Sequence, residues 1–216
     1  QTGLIKQIGD WTIHQACIAA ASWPDELLVA VNLSARHFQL SDITEVVRDA
    51  LAKSGLAPHR LELEITESLL IERPEDVISK LAEIKALGVT IAMDDFGTGY
   101  SSLSYLLKFP FDKIKIDKSF VTASSEDAVA KDILRSIASL GNTLKIRITA
   151  EGVETLEQVE FLRKIACSHL QGFYFSRPLN EADMASYLLT NFAAQIPDGN
   201  LTAVMENLQL PLARAS

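Results

Sequence analysis

Asn32, Glu64, the adjacent Asp94 and Asp95, Lys115, Glu151 and Gln171 fall at the ends of successive short β-branched runs in this 216-residue chain. Brought to one place, they supply four carboxylates, amide groups and one ammonium. Carboxylates crowded into a desolvated site repel one another and take up protons unless positive charge joins them. Divalent cations resolve that conflict, and hard oxygen ligands of this kind suit Mg²⁺ or Mn²⁺ rather than zinc. No other metal chemistry competes. His14, His37, His59 and His169 show no ligand spacing and read as solvated or packed. Cys17 and Cys167 lie far apart and read as reduced thiols, outside any disulfide framework or zinc knuckle. Gly97-Thr98-Gly99 lacks the third glycine that a dinucleotide-binding loop requires.

The elements that must position these residues alternate between β-branched runs and helical periodicity, which predicts an α/β protein. Strands are expected at Leu27 to Leu33, Arg60 to Ile65, Val89 to Asp94, Phe111 to Ile116, Lys145 to Ala150 and Leu170 to Phe175. An opening helix carries Ile5, Ile8, Ile13, Ala16 and Ala20. Pro74 opens another with Val77, Ile78, Leu81 and Ile84 on one face, and Gly88 closes it. A third follows Ser125, with Val129, Ile133, Ile137 and Leu140 inward and Gly141 at its end. Thr155 and Gln158 have capping-box spacing ahead of Val159, Leu162 and Ile165.

Strand parity narrows the fold. Side chains alternate between faces with a period of two, so Leu61, Leu63 and Ile65 oppose Glu62 and Glu64, and Ile114 and Ile116 oppose Lys113 and Lys115. Ile146, Ile148 and Ala150 likewise oppose Lys145, Arg147, Thr149 and Glu151, while Thr90, Ala92 and Asp94 share the face opposite Val89, Ile91 and Met93. Parallel strands covered by helices on both sides would be apolar throughout. A parallel sheet curled around a polar, ion-paired interior satisfies all four strands, which predicts a barrel with its reactive groups at the carboxyl ends of the strands. Asp94 and Asp95 would point to opposite faces of a continuing strand, so both reach one site only if the strand breaks there, as Gly97 and Gly99 favour.

Six blocks in order resemble the EAL family of bacterial cyclic di-GMP phosphodiesterases. They are Val31-Asn32-Leu33-Ser34-Ala35, Glu62-Leu63-Glu64-Ile65-Thr66-Glu67-Ser68, Asp94 to Leu103, Lys115-Ile116-Asp117, Ala150-Glu151-Gly152-Val153-Glu154-Thr155 and Gln171 to Leu179. The resemblance runs from about Thr2 to Leu189 and implies a modified TIM (β/α)8 barrel that hydrolyses cyclic di-GMP to linear pGpG with Mg²⁺ or Mn²⁺, two ions per site. It implies Asn32 and Glu64 as ligands of one metal, Asp94 as a bridging ligand, Asp95 as a ligand of the second, and Glu151 as a metal-shell group or base. Lys115 would orient the attacking water or meet developing charge, and Gln171 would lie near the second metal and the substrate. Glu67 and Glu154 would hold the Asp95 to Leu103 loop. A homodimer and an upstream sensory or cyclase domain are the implied partners.

One feature departs from the family. The Glu-Ala-Leu tripeptide occurs nowhere in the chain; in the family it precedes a segment like Thr2 to Ile5, supplies a metal-ligating Glu and is followed by a substrate-contacting Arg. The barrel is therefore expected to lack its N-terminal strand region here. Residues 1–190 are expected to form an N-terminally incomplete EAL-type barrel and residues 191–216 an extension or linker, and the first metal site is expected to be impaired unless the parent protein supplies the strands. A non-catalytic cyclic di-GMP receptor, or a pure interaction module, is the alternative. The net charge of −8 disfavours broad attraction to DNA or an anionic membrane, and Met184 to Pro197, as long as any uncharged stretch in the chain, is too short and polar to span a bilayer. A cytoplasmic location is expected, with tethering of the parent protein left open.

Overall fold

The computed structural model describes residues 3–72, 74–98, 106 and 108–192. Six parallel strands lie in sequence order: β1 (Val29–Leu33), β2 (Leu61–Thr66), β3 (Thr90–Phe96), β4 (Lys113–Ile116), β5 (Arg147–Ala150) and β6 (His169–Leu170). The helices are α1 (Leu4–Ala21), α2 (Ala35–Leu40), α3 (Ile43–Ser54), α4 (Leu69–Glu72), α5 (Pro74–Ala86), α6 (Lys118–Ala123), α7 (Ala128–Leu144), α8 (Leu156–Lys164) and α9 (Glu181–Phe192). Consecutive parallel strands linked by helices are the repeating unit of a barrel wall.

The register sets the two faces. Asn32 lies opposite Glu64, Thr66 opposite Asp94, Lys115 opposite Thr149, and Ala150 opposite Leu170. Leu61, Leu63, Ile65, Ile91, Ile114 and Ile116 are fully buried beneath the helices, while Glu62, Glu64, Asp94, Lys113 and Lys115 are buried on the other face. The polar interior required by parity is present. On β1, which has one neighbouring strand among the described residues, the inward Ala30 and Asn32 are exposed.

Local chemistry fixes the helix ends. Thr155 accepts a hydrogen bond from the Gln158 N–H, and Gln158 Oε1 accepts from the backbone of Thr155 and Glu154, so the expected capping box is complete. Arg60, 3% exposed, donates to the carbonyls of Ala20, Trp23, Pro24 and Leu27 and pairs with Asp25. It thereby ties the end of α1 to the start of β2.

Four expectations need correction. The third helix, capped by Asp127, turns inward Ala130, Leu134, Ile137, Ala138 and Gly141, whereas Val129 and Ile133 face outward. Gly141 lies inside that helix, where a Cβ would stand 2.4 Å from Ile148 Cδ1, and the helix instead ends at Lys145 in the left-handed conformation. On α1, Ile5 and Ile8 are exposed and Ile13, Cys17 and Ala20 make the buried stripe. The sixth strand stops at Leu170: Phe173, Tyr174 and Phe175 form an exposed turn, with the Tyr174 N–H donating to Val153 O and that of Phe175 to Gly172 O. The aromatic run that reads as a strand is used to turn the chain.

Candidate active site

The inner face of the sheet carries two tiers of ion pairs. Towards the amino ends of the strands, Lys113 Nζ donates to Glu62 Oε1 at 2.6 Å. Towards the carboxyl ends, the Lys115 ammonium lies 2.7 Å from Glu64 Oε2, 2.6 Å from Glu151 Oε1 and 3.2 Å from Asp94 Oδ1. Lys115 is 4% exposed, so these contacts form in a largely dry setting where charge interactions are strong.

Asp94 and Asp95 serve one site despite adjacent positions on a strand that continues to Phe96. Met93 pairs with Ile114 and Phe96 with Ile116, three steps along β3 against two along β4, which is a bulge. Asp95 takes up the extra residue in the left-handed region at φ 55°. The strand is broken in register rather than ended, and the break turns Asp95 towards its neighbour. Oxygens of Asp94, Asp95 and Glu151 lie within 4.8 Å of one another.

The electrostatics follow from burial and from this crowding. Burial pushes the Glu64 and Glu151 carboxyls above the ordinary range, and Lys115 offsets only part of the effect. Asp95 is also raised, by burial first and then by the charges of Asp94 and Asp117. Burial works against the Lys115 ammonium, but hydrogen bonds to Glu151 and Glu64 outweigh it and hold the proton more tightly than on a free lysine. Lys115 is therefore a fixed positive charge at neutral pH. One buried oxygen, Asp94 Oδ1, makes no hydrogen bond even with that ammonium nearby. An acidic oxygen set containing a buried acceptor with spare capacity fits a hard divalent cation.

Glu64, Asp94, Asp95, Lys115 and Glu151 are thus brought together. Asn32 lies on the same inward face beside Glu64 in register, with its side chain exposed. Gln171 follows β6 rather than entering it; its N–H donates to Ala150 O and its carbonyl accepts from Val153 N–H, which seats it beside the Glu151 segment. Glu67 is buried just after β2, whereas the Glu154 side chain is exposed. The loop these two are expected to hold passes outside the described residues at Gly99. Sequence reading gives no role to Asp117, which caps α6 through Ser119 N–H and acts on Asp95. The available signal was its place two residues beyond Lys115. The histidines play no part here: His37 bonds Asp10, His14 bonds Asp49, and His59 and His169 are exposed.

A parallel sheet with helices on its outer face and carboxylates gathered at its carboxyl edge defines a TIM-barrel-like α/β protein with an acidic, metal-type site. The chain belongs to the EAL domain family, whose model matches residues 1–178. An uncharacterized signaling protein of Caulobacter vibrioides is 50% identical over 82% of this chain and 22% of its own length. The bifunctional diguanylate cyclase/cyclic di-GMP phosphodiesterase MucR of Pseudomonas aeruginosa is 43% identical over 83% of this chain and 27% of its own length. The chain therefore spans about a quarter of these relatives. The solved MucR phosphodiesterase in complex with c-di-GMP superposes with a TM-score of 0.80 at 41% identity, covering 84% of this chain and 75% of that one. BlrP1 of Klebsiella pneumoniae, solved with manganese and cyclic di-GMP, gives 0.74 at 32% identity over 80% and 45%. Divalent metal thus accompanies the nucleotide in a neighbour of this fold. Among the described residues no helix is long and apolar enough to cross a membrane.

Proposed function

We propose that this chain is the catalytic unit of a metal-dependent phosphodiesterase that opens cyclic di-GMP to linear pGpG in bacterial second-messenger signalling. The observation that carries the reading is the convergence of Glu64, Asp94 and Glu151 on the buried ammonium of Lys115, with Asp95 clustered beside Asp94 and Glu151. Asp94, Asp95 and Glu151, with Glu64 and Asn32 beside them, are the residues that would hold Mg²⁺ or Mn²⁺, as two ions. Such ions supply charge neutralisation at the phosphodiester and a nucleophilic water at neutral pH.

Hydrolysis adds water across one P–O3′ bond: the water oxygen bonds to phosphorus, and the 3′ oxygen departs and takes up a proton. Lys115 keeps its proton and meets the negative charge that grows on the phosphoryl oxygens. Glu151, in hydrogen-bond contact with Lys115, is the candidate acceptor for the water's proton. Gln171, whose backbone is anchored to Ala150 and Val153, takes the substrate-contacting role in this reading. Glu67 and Glu154 take the supporting role for the loop beyond Asp95.

Residues 1–190 act as the barrel and 191–216 as an extension or linker, although α9 runs across that boundary to Phe192. A strand laid parallel along the edge of β1 that has no partner among the described residues would cover Ala30 and Asn32 and complete the first metal site. The parent is read as a longer cytoplasmic signalling protein, dimeric through this domain and governed by a sensory or cyclase module.

A cyclic di-GMP receptor without turnover is the second reading, favoured by the exposure of Asn32 on that open edge. Incubation of a version extended upstream with cyclic di-GMP and Mn²⁺, followed by separation of products, decides between them. Turnover to pGpG that disappears in Asp94→Asn and in chelator supports catalysis. Tight binding without product makes the protein a receptor, and absence of binding removes both readings.

A further inference from the structure

Two backbone positions flanking the acidic residues rest against the same short helix. Gly97 has φ 97° and Gly152 has φ 68°. A Cβ on Gly97 would stand 2.8 Å from Phe120 Cε2 and 2.9 Å from its Cζ, and one on Gly152 would stand 2.4 Å from Lys118 Cβ and 3.2 Å from its Cα. Helix α6, which starts directly after β4, is therefore wedged between the turn that follows Asp95 and the turn that follows Glu151. It is itself well held. Asp117 caps it, Val121 is fully buried, and the Ser124 hydroxyl donates to Val121 O. Asp95, two residues before Gly97, occupies the left-handed region without being glycine. Such a conformation persists where neighbouring structure over-determines it. The Thr98 N–H and hydroxyl both donate to Asp95 O and close the turn, and the Phe120 ring lies under it.

We infer that Phe120 is a positioning residue: its ring is the stop on which Gly97 seats, and this contact holds the bulged Asp95 on the same side as Asp94 and Glu151. The inference rests on the reading of those three carboxylates as the metal-holding set. It gives a physical reason for a bulky aromatic side chain that touches no reacting group. A smaller side chain at 120 leaves a gap beneath Gly97, and Asp95 is free to relax towards the ordinary strand conformation, in which alternation turns it away from Asp94.

The test compares Phe120→Ala, Phe120→Leu and Val47→Ala in the full chain, the last removing fully buried core bulk from α3. Mn²⁺ binding is followed by the electron paramagnetic resonance of the free ion, and amide hydrogen exchange of the segment containing Asp95 to Thr98 is measured without metal. Phe120→Ala should weaken Mn²⁺ binding by about tenfold or more, the usual loss when a group supporting a metal ligand is removed. It should also speed exchange across that segment. Phe120→Leu should recover most of both, while Val47→Ala should lower the melting temperature and leave both unchanged. Equal weakening in Val47→Ala, or exchange in Phe120→Ala identical to the parent, overturns the inference. Failure of the unaltered chain to take up Mn²⁺ defeats the active-site reading instead, and the exchange comparison then decides the role of Phe120 by itself.

Discussion

Replacing Lys115 by Met removes one charge from the centre of the site while keeping most of its volume. The ammonium lies within 3.2 Å of three carboxylates and is 4% exposed, so its loss leaves Glu64, Asp94 and Glu151 facing one another in a dry setting. Breaking a buried ion pair from one side costs about 3–5 kcal/mol. For a chain of this size, each kcal/mol lowers the melting temperature by roughly 2–4 °C, so a drop on the order of 10 °C is expected in chelator near neutral pH. The sign of the pH dependence follows from the carboxylates. Burial raises Glu64 and Glu151 in the folded state, and loss of Lys115 raises them further. Their protonated forms therefore stabilise the variant at pH values below the ordinary carboxylate pKa, and that stability is lost as pH rises through the elevated folded values. The deficit should shrink as pH falls towards about 5. Mn²⁺ should also restore part of it, about 2.7 kcal/mol at a hundredfold excess over its dissociation constant. Scanning calorimetry in chelator and in Mn²⁺ across that pH range measures all three effects. A variant melting within about 2 °C of the parent in chelator at neutral pH, less than 1 kcal/mol at this size, would show that the carboxylates do not depend on Lys115.

Two further perturbations address the scaffold. Arg60→Met strands the carbonyls of Ala20, Trp23, Pro24 and Leu27, and urea unfolding should show a loss of about 3 kcal/mol or more, since a buried charged donor leaves unsatisfied partners behind. His14 lies 2.7 Å from Asp10 O through Nδ1 and 2.8 Å from Asp49 Oδ2 through Nε2. Only the imidazolium donates through both nitrogens, and these bonds raise its pKa. The stabilisation is full below the unfolded value and is lost as pH rises through the raised folded one, so the stability difference between the parent and His14→Asn should decline from about pH 6 to about pH 8. A pH-independent difference in urea titrations would count against the charged form.

Much of this architecture is visible in the amino-acid pattern because its cause is local. Alternation in Leu61 to Ile65 and Lys113 to Ile116 follows from the two-residue period of a strand, and a chain that must bury Leu63 and Ile114 on one side has no choice about where Glu64 and Lys115 point. The Thr155–Gln158 cap is equally local. Alternation over-reads where another force prevails. Phe173 to Phe175 look like strand residues but turn back onto Val153 through backbone hydrogen bonds, and Val129 and Ile133 look like an inward stripe although the close approach of Gly141 to Ile148 rotates α7 onto Ala130, Leu134 and Ala138.

The sequence by itself determined the strand order of the acidic residues, the polarity of the barrel interior and the family. Tertiary structure alone decided that Asp94 and Asp95 share a site, because a bulge is a mismatch between two strands and exists only once β3 is laid against β4. It also decided that Lys115 lies against Glu64, Asp94 and Glu151 together and that one helix packs against both the turn after Asp95 and the turn after Glu151. Those are distances between segments remote along the chain, and nothing in the spacing of residues within one segment encodes them.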